Sequence, residues 1–186
     1  MPLSQLDPKT ALVVIDMQKG VVGLPLAHPT EPVIANNAEL TRAFRAAGLS
    51  VVLVNVTEAA PGRTDRGHSA LPRHPEFAEL LPELNISPDD FKVTKRQWGA
   101  FQGTSLDTLL RRRGITQVVL TGITTSIGVE STARSAHEHG YHVVLVTDAM
   151  TDLDAGAHQN SIDKIFPRLG ETTTTGDVLA HLSKRQ

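Results

Sequence analysis

The sequence predicts an α/β fold of three layers, α/β/α, with a Rossmann-like, mostly parallel sheet between helices on both faces. Three observations carry this. Short apolar runs such as "ALVVI" (11–15) and "QVVLTG" (117–122) lack the polar alternation of a half-exposed strand, so both faces are expected to be covered. Segments with helical spacing fall between these runs. Repeated strand–helix units close most simply as a parallel sheet with right-handed crossovers.

The elements follow in order. The run 11–15 is the first strand. "VIANNAELTRAFRAAG" (33–48) puts Val33, Ile34, Leu40, Phe44 and Ala47 roughly on one helical face, with Gly48 as the stop. "VVLVNV" (51–56) is the second strand. Residues 57–94 are loop-rich, with one short helix near "PEFAELL" (75–81). Loops of this length in a compact domain are usually functional. "FKVTK" (91–95) is another strand. "TSLDTLLRRRG" (104–114) reads as a helix with Thr104 as cap, Asp107 at the capping-box position, basic residues in its last turn and Gly114 after it. The strand 117–122 leads into a helix from about Ser126 to His139, and "HVVLVTDAM" (142–150) is a further strand. "AGAHQNSIDKIF" and "GDVLAHLSKRQ" are helices flanking "ETTTT".

The 186 residues fit one domain spanning 1–186. A chain of this length buries roughly 70% of its unfolded surface, enough to fold without a disulfide or metal. The net charge of -2 argues against nucleic acid or an acidic membrane as a main partner. No apolar run approaches the ~20 residues of a membrane span, and the first residues carry no signal-peptide pattern. A cytoplasmic protein is expected. Cysteine is absent, which excludes thiolate ligands and a thiolate nucleophile.

Sites in such sheets form beyond the carboxyl ends of the strands. The first strand ends at Asp16, followed by Met17 and Gln18. A carboxylate there is partly desolvated and needs a partner. Asp16 is either functional or caps the loop "MQKG", balancing a structural lysine. Lys95 closes "FKVTK" and precedes the one Trp of the chain, Trp98, with Gly99 and Phe101 beyond it. These aromatics suit a pocket wall or plain core packing. In "TGITTSIGVESTARSAHEHG", Gly128 lies in the first helical turn, where glycine costs about 1 kcal/mol against alanine. It serves close helix–sheet packing, or it leaves room for a substrate with the first-turn amides free for a carboxylate or oxyanion. Thr124, Thr125 and Ser126 supply hydroxyls and the cap. Glu58, Arg63 and Arg66 stand in the long loop where substrate contacts are expected. The histidines, among them His68, His137 and His139, give no converging metal set, and no phosphate-binding glycine fingerprint is present.

Three blocks in order, "ALVVIDMQKG", "VTKRQWGAFQGTSLDTLLRRRGI" and "VVLTGITTSIGVESTARSAHEHGYHVVLVTDAM", resemble the isochorismatase-like hydrolase family over nearly the whole chain. The resemblance implies a catalytic Asp at Asp16 and a catalytic Lys at Lys95. Most members of that family carry a nucleophilic cysteine in the last block, and the match puts Gly128 there. True isochorismatases resemble this chain in having glycine. They cleave a vinyl ether by proton donation to carbon and addition of water. The resemblance therefore implies a cysteine-independent hydrolase of a small carboxylated molecule that needs no cofactor and no metal. Gly128 would sit with Asp16 and Lys95 at the reacting centre, and Gln18, Arg66, Trp98, Phe101, Thr124 and Thr125 would line the pocket. It also implies a homo-oligomer. The competing expectation is a catalytically inactive relative that binds a small molecule or acts as a scaffold. A hydroxyl nucleophile at Ser126 or Thr125 is the third, with no histidine evidently placed to activate it.

Overall fold

A computed structural model describes residues 3–65, 67, 71 and 74–185. Among these residues, six strands form one sheet: β1 (Thr10–Ile15), β2 (Ser50–Val56), β3 (Phe91–Lys95), β4 (Gln117–Ile123), β5 (His142–Thr151) and β6 (Glu171–Thr173). Their spatial order is β3-β2-β1-β4-β5-β6, and every pairing is parallel. The sheet expected to be mostly parallel is wholly so.

Among the described residues, seven α-helices accompany it: α1 (Lys19–Val22), α2 (Thr30–Ala46), α3 (Leu106–Arg112), α4 (Glu130–Glu138), α5 (Ala155–Asn160), α6 (Phe166–Leu169) and α7 (Thr175–Ser183). The alternation along β1 divides the core. Leu12 and Val14 face a cluster with Leu40 and Phe44 of α2 and Val178 of α7. Ala11, Val13 and Ile15 face Leu110 of α3, Ala133 of α4 and Phe166 of α6. A strand buried on both faces has no place for a polar side chain, which is why these runs are uniformly apolar.

Several elements differ from the sequence expectation. The helix from 33 begins three residues earlier, because Pro32 lies in the first turn, where a missing N–H breaks no bond. The short helix near 75–81 is two 3₁₀ turns, Pro75–Ala78 and Pro82–Leu84, each opened by its proline. The helix expected over 104–114 narrows to Leu106–Arg112, and Asp107 forms no capping box. Its carboxylate accepts from Arg111 and from the Tyr141 hydroxyl instead. The helix after β4 opens with a wide π turn, Thr125–Val129, in which the Val129 amide reaches back five residues to the Thr124 carbonyl. A second π turn, Ser161–Ile165, interrupts the segment 155–166. Pro167 explains that one: its ring crowds the carbonyl four residues earlier, so the chain widens ahead of it.

Two features aim the site. Gly122 has φ +111°, and a Cβ there would stand 1.9 Å from the Ile15 carbonyl oxygen, so only glycine lets β4 end this close to β1. The β4–β5 register also shifts, with Leu120 opposite Leu145 but Gly122 opposite Met150. The extra β5 residues bulge out and deliver Thr151 and Asp152 to the turn after β4.

Candidate active site

Asp16 and Lys95 meet at the carboxyl end of the sheet. They leave β1 and β3, with β2 between, so two strand spacings of ~4.8 Å separate the backbones. A lysine is long enough to span that distance. Its Nζ donates to Asp16 Oδ2 at 2.6 Å and to the Gln97 carbonyl at 3.2 Å. Both side chains are almost fully buried. Asp16 has φ +50°, a left-handed conformation that costs a non-glycine residue about 1 kcal/mol or more and concentrates at functional sites. Its amide donates to the Val54 carbonyl, which anchors this strained residue to β2.

The two carboxylate oxygens differ. Oδ2 holds Lys95, whereas Oδ1 is buried with no hydrogen-bond partner among the described residues. Burial pushes the Asp16 carboxyl up to about 6, against the opposing charge and hydrogen bond of Lys95. A proton on Asp16 therefore belongs on Oδ1, since Oδ2 is already accepting. The group can give or take a proton near neutral pH.

Gly128 adjoins this pair. A Cβ built on it falls 3.4 Å from Asp16 Oδ2 and 3.0 Å from Ile15 Cγ2. A side chain at position 128 would therefore reach over the carboxylate. Thr124 precedes the turn, buried, after a cis peptide bond from Ile123.

The other pocket candidates divide. Gln18 is wholly buried and holds backbone on both sides. Its Nε2 donates to the Val56 and Phe77 carbonyls and its Oε1 accepts from the Val56 amide, so it clamps loops and offers nothing to a ligand. Phe101 packs in the core against Tyr141 and the edge of His139, so it walls no pocket. Trp98 does the opposite and is 58% exposed. Arg66 lies outside the described residues. Thr125 is fully buried, and its hydroxyl donates to the Thr151 carbonyl at 3.0 Å.

The expectation that the first-turn amides stay free needs correction at Ser126, Ile127 and Val129. The Asp152 carboxylate accepts from the Ser126 amide at 2.5 Å, and the Thr124 carbonyl accepts from the Ile127 and Val129 amides. Asp152 and His158, whose Nδ1 lies 2.8 Å from Thr125 Oγ1, are the residues that sequence reasoning missed. A histidine does stand beside a threonine hydroxyl. That hydroxyl is buried and committed, so it is no nucleophile.

An isochorismatase domain model matches residues 10–177, which contain Asp16, Lys95 and Gly128. The chain belongs to the isochorismatase family. Among its relatives, the uncharacterized isochorismatase family protein YwoC of Bacillus subtilis is 43% identical, covering 92% of this chain and 93% of its own. The structure of an isochorismatase family protein from Burkholderia thailandensis superposes with a TM-score of 0.93 at 46% identity, over 98% of each chain. The ureidoacrylate amidohydrolase RutB of Stutzerimonas stutzeri is 33% identical over 80% of this chain and 72% of its own. These matches place the protein among the isochorismatase-like hydrolases. No helix among the described residues is long and apolar enough to cross a membrane.

Proposed function

We propose that the protein is a cysteine-independent hydrolase of a small carboxylated molecule, acting on a vinyl ether through Asp16 and Lys95. The observation that supports this most directly is the asymmetry of the buried Asp16 carboxyl. One oxygen is held by Lys95 and the other has no partner among the described residues. A buried polar atom left unpaired costs about 1–3 kcal/mol, and a reacting substrate is the partner that would relieve it.

In this reading the substrate has an enol-ether carbon against Asp16 Oδ1. The carboxylic proton moves to that carbon, and the developing oxocarbenium is stabilised by the carboxylate left behind. Water adds to the cationic carbon and returns its proton to Asp16. The resulting hemiketal breaks its C–O bond, giving a keto acid and an alcohol. Lys95 spends two of its three N–H bonds on Asp16 and Gln97. The third is available for a carboxylate oxygen of the substrate. Gly128 leaves the space over Asp16 open where a side chain would close it. Thr124, Trp98 and Arg66 remain the candidates for the surrounding pocket.

Names among the relatives point also to amides, as in ureidoacrylate amidohydrolase. The test therefore compares isochorismate with ureidoacrylate and small amides, in the wild type and in Asp16→Asn. Asparagine keeps the shape but gives no carboxylic proton, so turnover of the vinyl ether falls ~10²–10⁴-fold. Amide hydrolysis that depends on Asp16, with no keto acid released from isochorismate, would recast Asp16 as a base for water. No turnover of any compound, together with binding indifferent to Asp16→Asn, would leave a binding protein.

A further inference from the structure

The turn that carries Gly128 is held from behind by a buried polar chain that the proposed chemistry does not use. Thr125 is its centre. A carbonyl oxygen only accepts, so the 3.0 Å bond to Thr151 consumes the one hydroxyl proton of Thr125. The 2.8 Å contact between Thr125 Oγ1 and His158 Nδ1 then requires the proton to sit on the ring. His158 comes from α5 and is 8% exposed. The titratable groups that face it are His28, whose ring centroid is 4.6 Å away, and Asp152. His28 Nδ1 meets Thr151 Oγ1 at 2.9 Å, and Asp152 holds the next amide of the turn, Ser126.

We infer that His158 is a positioning residue of this site: its Nδ1–H, donated to Thr125 Oγ1, fixes the π turn so that the Gly128 backbone keeps its place beside Asp16. The geometry supports each step. Thr125 opens the π turn and Gly128 lies three residues further on within it. Gly128 lies beside the carboxylate, close enough that a Cβ built on it would stand 3.4 Å from Asp16 Oδ2 and 3.0 Å from Ile15 Cγ2. A slackened turn would admit water to that oxygen, and water favours the ionised carboxyl. His158 acts through Thr125 and touches no reacting atom. The role also dictates a tautomer, with the proton on Nδ1 and Nε2 bare in the neutral ring.

The inference rests on the reading of this turn as part of the site, but its test reads no turnover. Side-chain ¹⁵N spectra of the full chain at pH 8, with His158→Asn assigning the resonance, should show Nδ1 protonated and Nε2 bare. Carbon-detected titration of Asp16 supplies the second readout. Asparagine places an amide N–H near the position of Nδ1, so His158→Asn should keep the Asp16 midpoint near the wild-type value. His158→Ala should lower it toward the ordinary carboxylate range. Thr125→Val, which removes the acceptor and keeps the shape, should lower it as well and carries the comparison should His158→Ala not fold. A bare Nδ1 in the wild type would overturn the inference. So would an Asp16 midpoint that stays at the wild-type value in both His158→Ala and Thr125→Val, or in Thr125→Val alone if His158→Ala does not fold. If no substrate is turned over while both readouts come out as stated, the proposed hydrolysis fails and the positioning role stands.

Discussion

Lys95→Met isolates the two forces that act on Asp16. In the wild type, burial raises the carboxyl from 3.8 to about 6 even though Lys95 pulls it down. At ~1.4 kcal/mol per pH unit, that rise makes the fold about 3 kcal/mol less stable above pH 6 than below pH 4, from this group alone. The sign follows from proton binding. The folded state holds the proton more tightly than the unfolded state, so stability is fully present below 3.8 and is lost as pH rises to the folded midpoint. An adjacent cation typically lowers a carboxyl by 1–3 units, and methionine removes the cation while keeping the length. The Asp16 midpoint in Lys95→Met is therefore expected between ~7 and ~9. The variant and the wild type should differ little in pH dependence below pH 5. Above pH 6 the variant keeps losing stability while this contribution in the wild type has levelled off. Urea unfolding from pH 4 to 9, beside carbon-detected titration of Asp16, reads both quantities. A midpoint at or below the wild-type value would show that Lys95 does not pull the Asp16 carboxyl down, and the account of two opposed forces on this group would be refuted.

Other substitutions probe the scaffold around the pair. Gly122→Ala puts a methyl carbon 1.9 Å from the Ile15 carbonyl, so expression should yield no folded protein, whereas Gly140→Ala, also at positive φ but with open space, should cost ~1–2 kcal/mol in urea melts. Gln18→Leu leaves the Val56 amide and the Val56 and Phe77 carbonyls without their partner, and unfolding should show a loss of ~3 kcal/mol or more. Gly128→Ala brings a methyl to 3.4 Å from Asp16 Oδ2 and asks Ile15 Cγ2 to yield a few tenths of an ångström. The helical gain of up to ~1 kcal/mol offsets that crowding, so stability should change little while kcat/KM for the vinyl ether falls.

The sheet was legible because burial on both faces leaves a strand no choice but a run of apolar residues. The meeting of Asp16 with Lys95 was legible for a related reason. Asp16 is a charge placed directly after such a run, Lys95 closes the strand "FKVTK", and the carboxyl ends of parallel strands face the same way. Gly128 stood out by its cost to the helix. The aromatics misled, because Phe101 and Trp98 are three residues apart on one loop and local sequence carries no sign of which enters the core. Gln18 misled as well. Its three bonds go to Val56 and Phe77, residues far along the chain, and a glutamine that clamps backbone reads the same as one that waits for a ligand.

What remained hidden came through β5. Periodicity marks "HVVLVTDAM" as a strand but says nothing of register, and the slip between Leu120 and Gly122 opposes Gly122 to Met150. Without that slip the end of β5 would not stand beside the turn, and the Asp152 and His158 contacts would not exist. The wide turn after β4 belongs to the same arrangement. The Thr124 carbonyl accepts from both Ile127 and Val129, while the Ser126 amide is turned outward to Asp152. An α-helical pattern of apolar residues cannot announce a π turn one of whose amides is satisfied by a carboxylate just past the end of the neighbouring strand. The cause lies in a tertiary contact, and the turn is shaped by what packs behind it. This is why the residues of the proposed site, Asp16, Lys95 and Gly128, could be named from the chain alone, and the residues packed behind them could not.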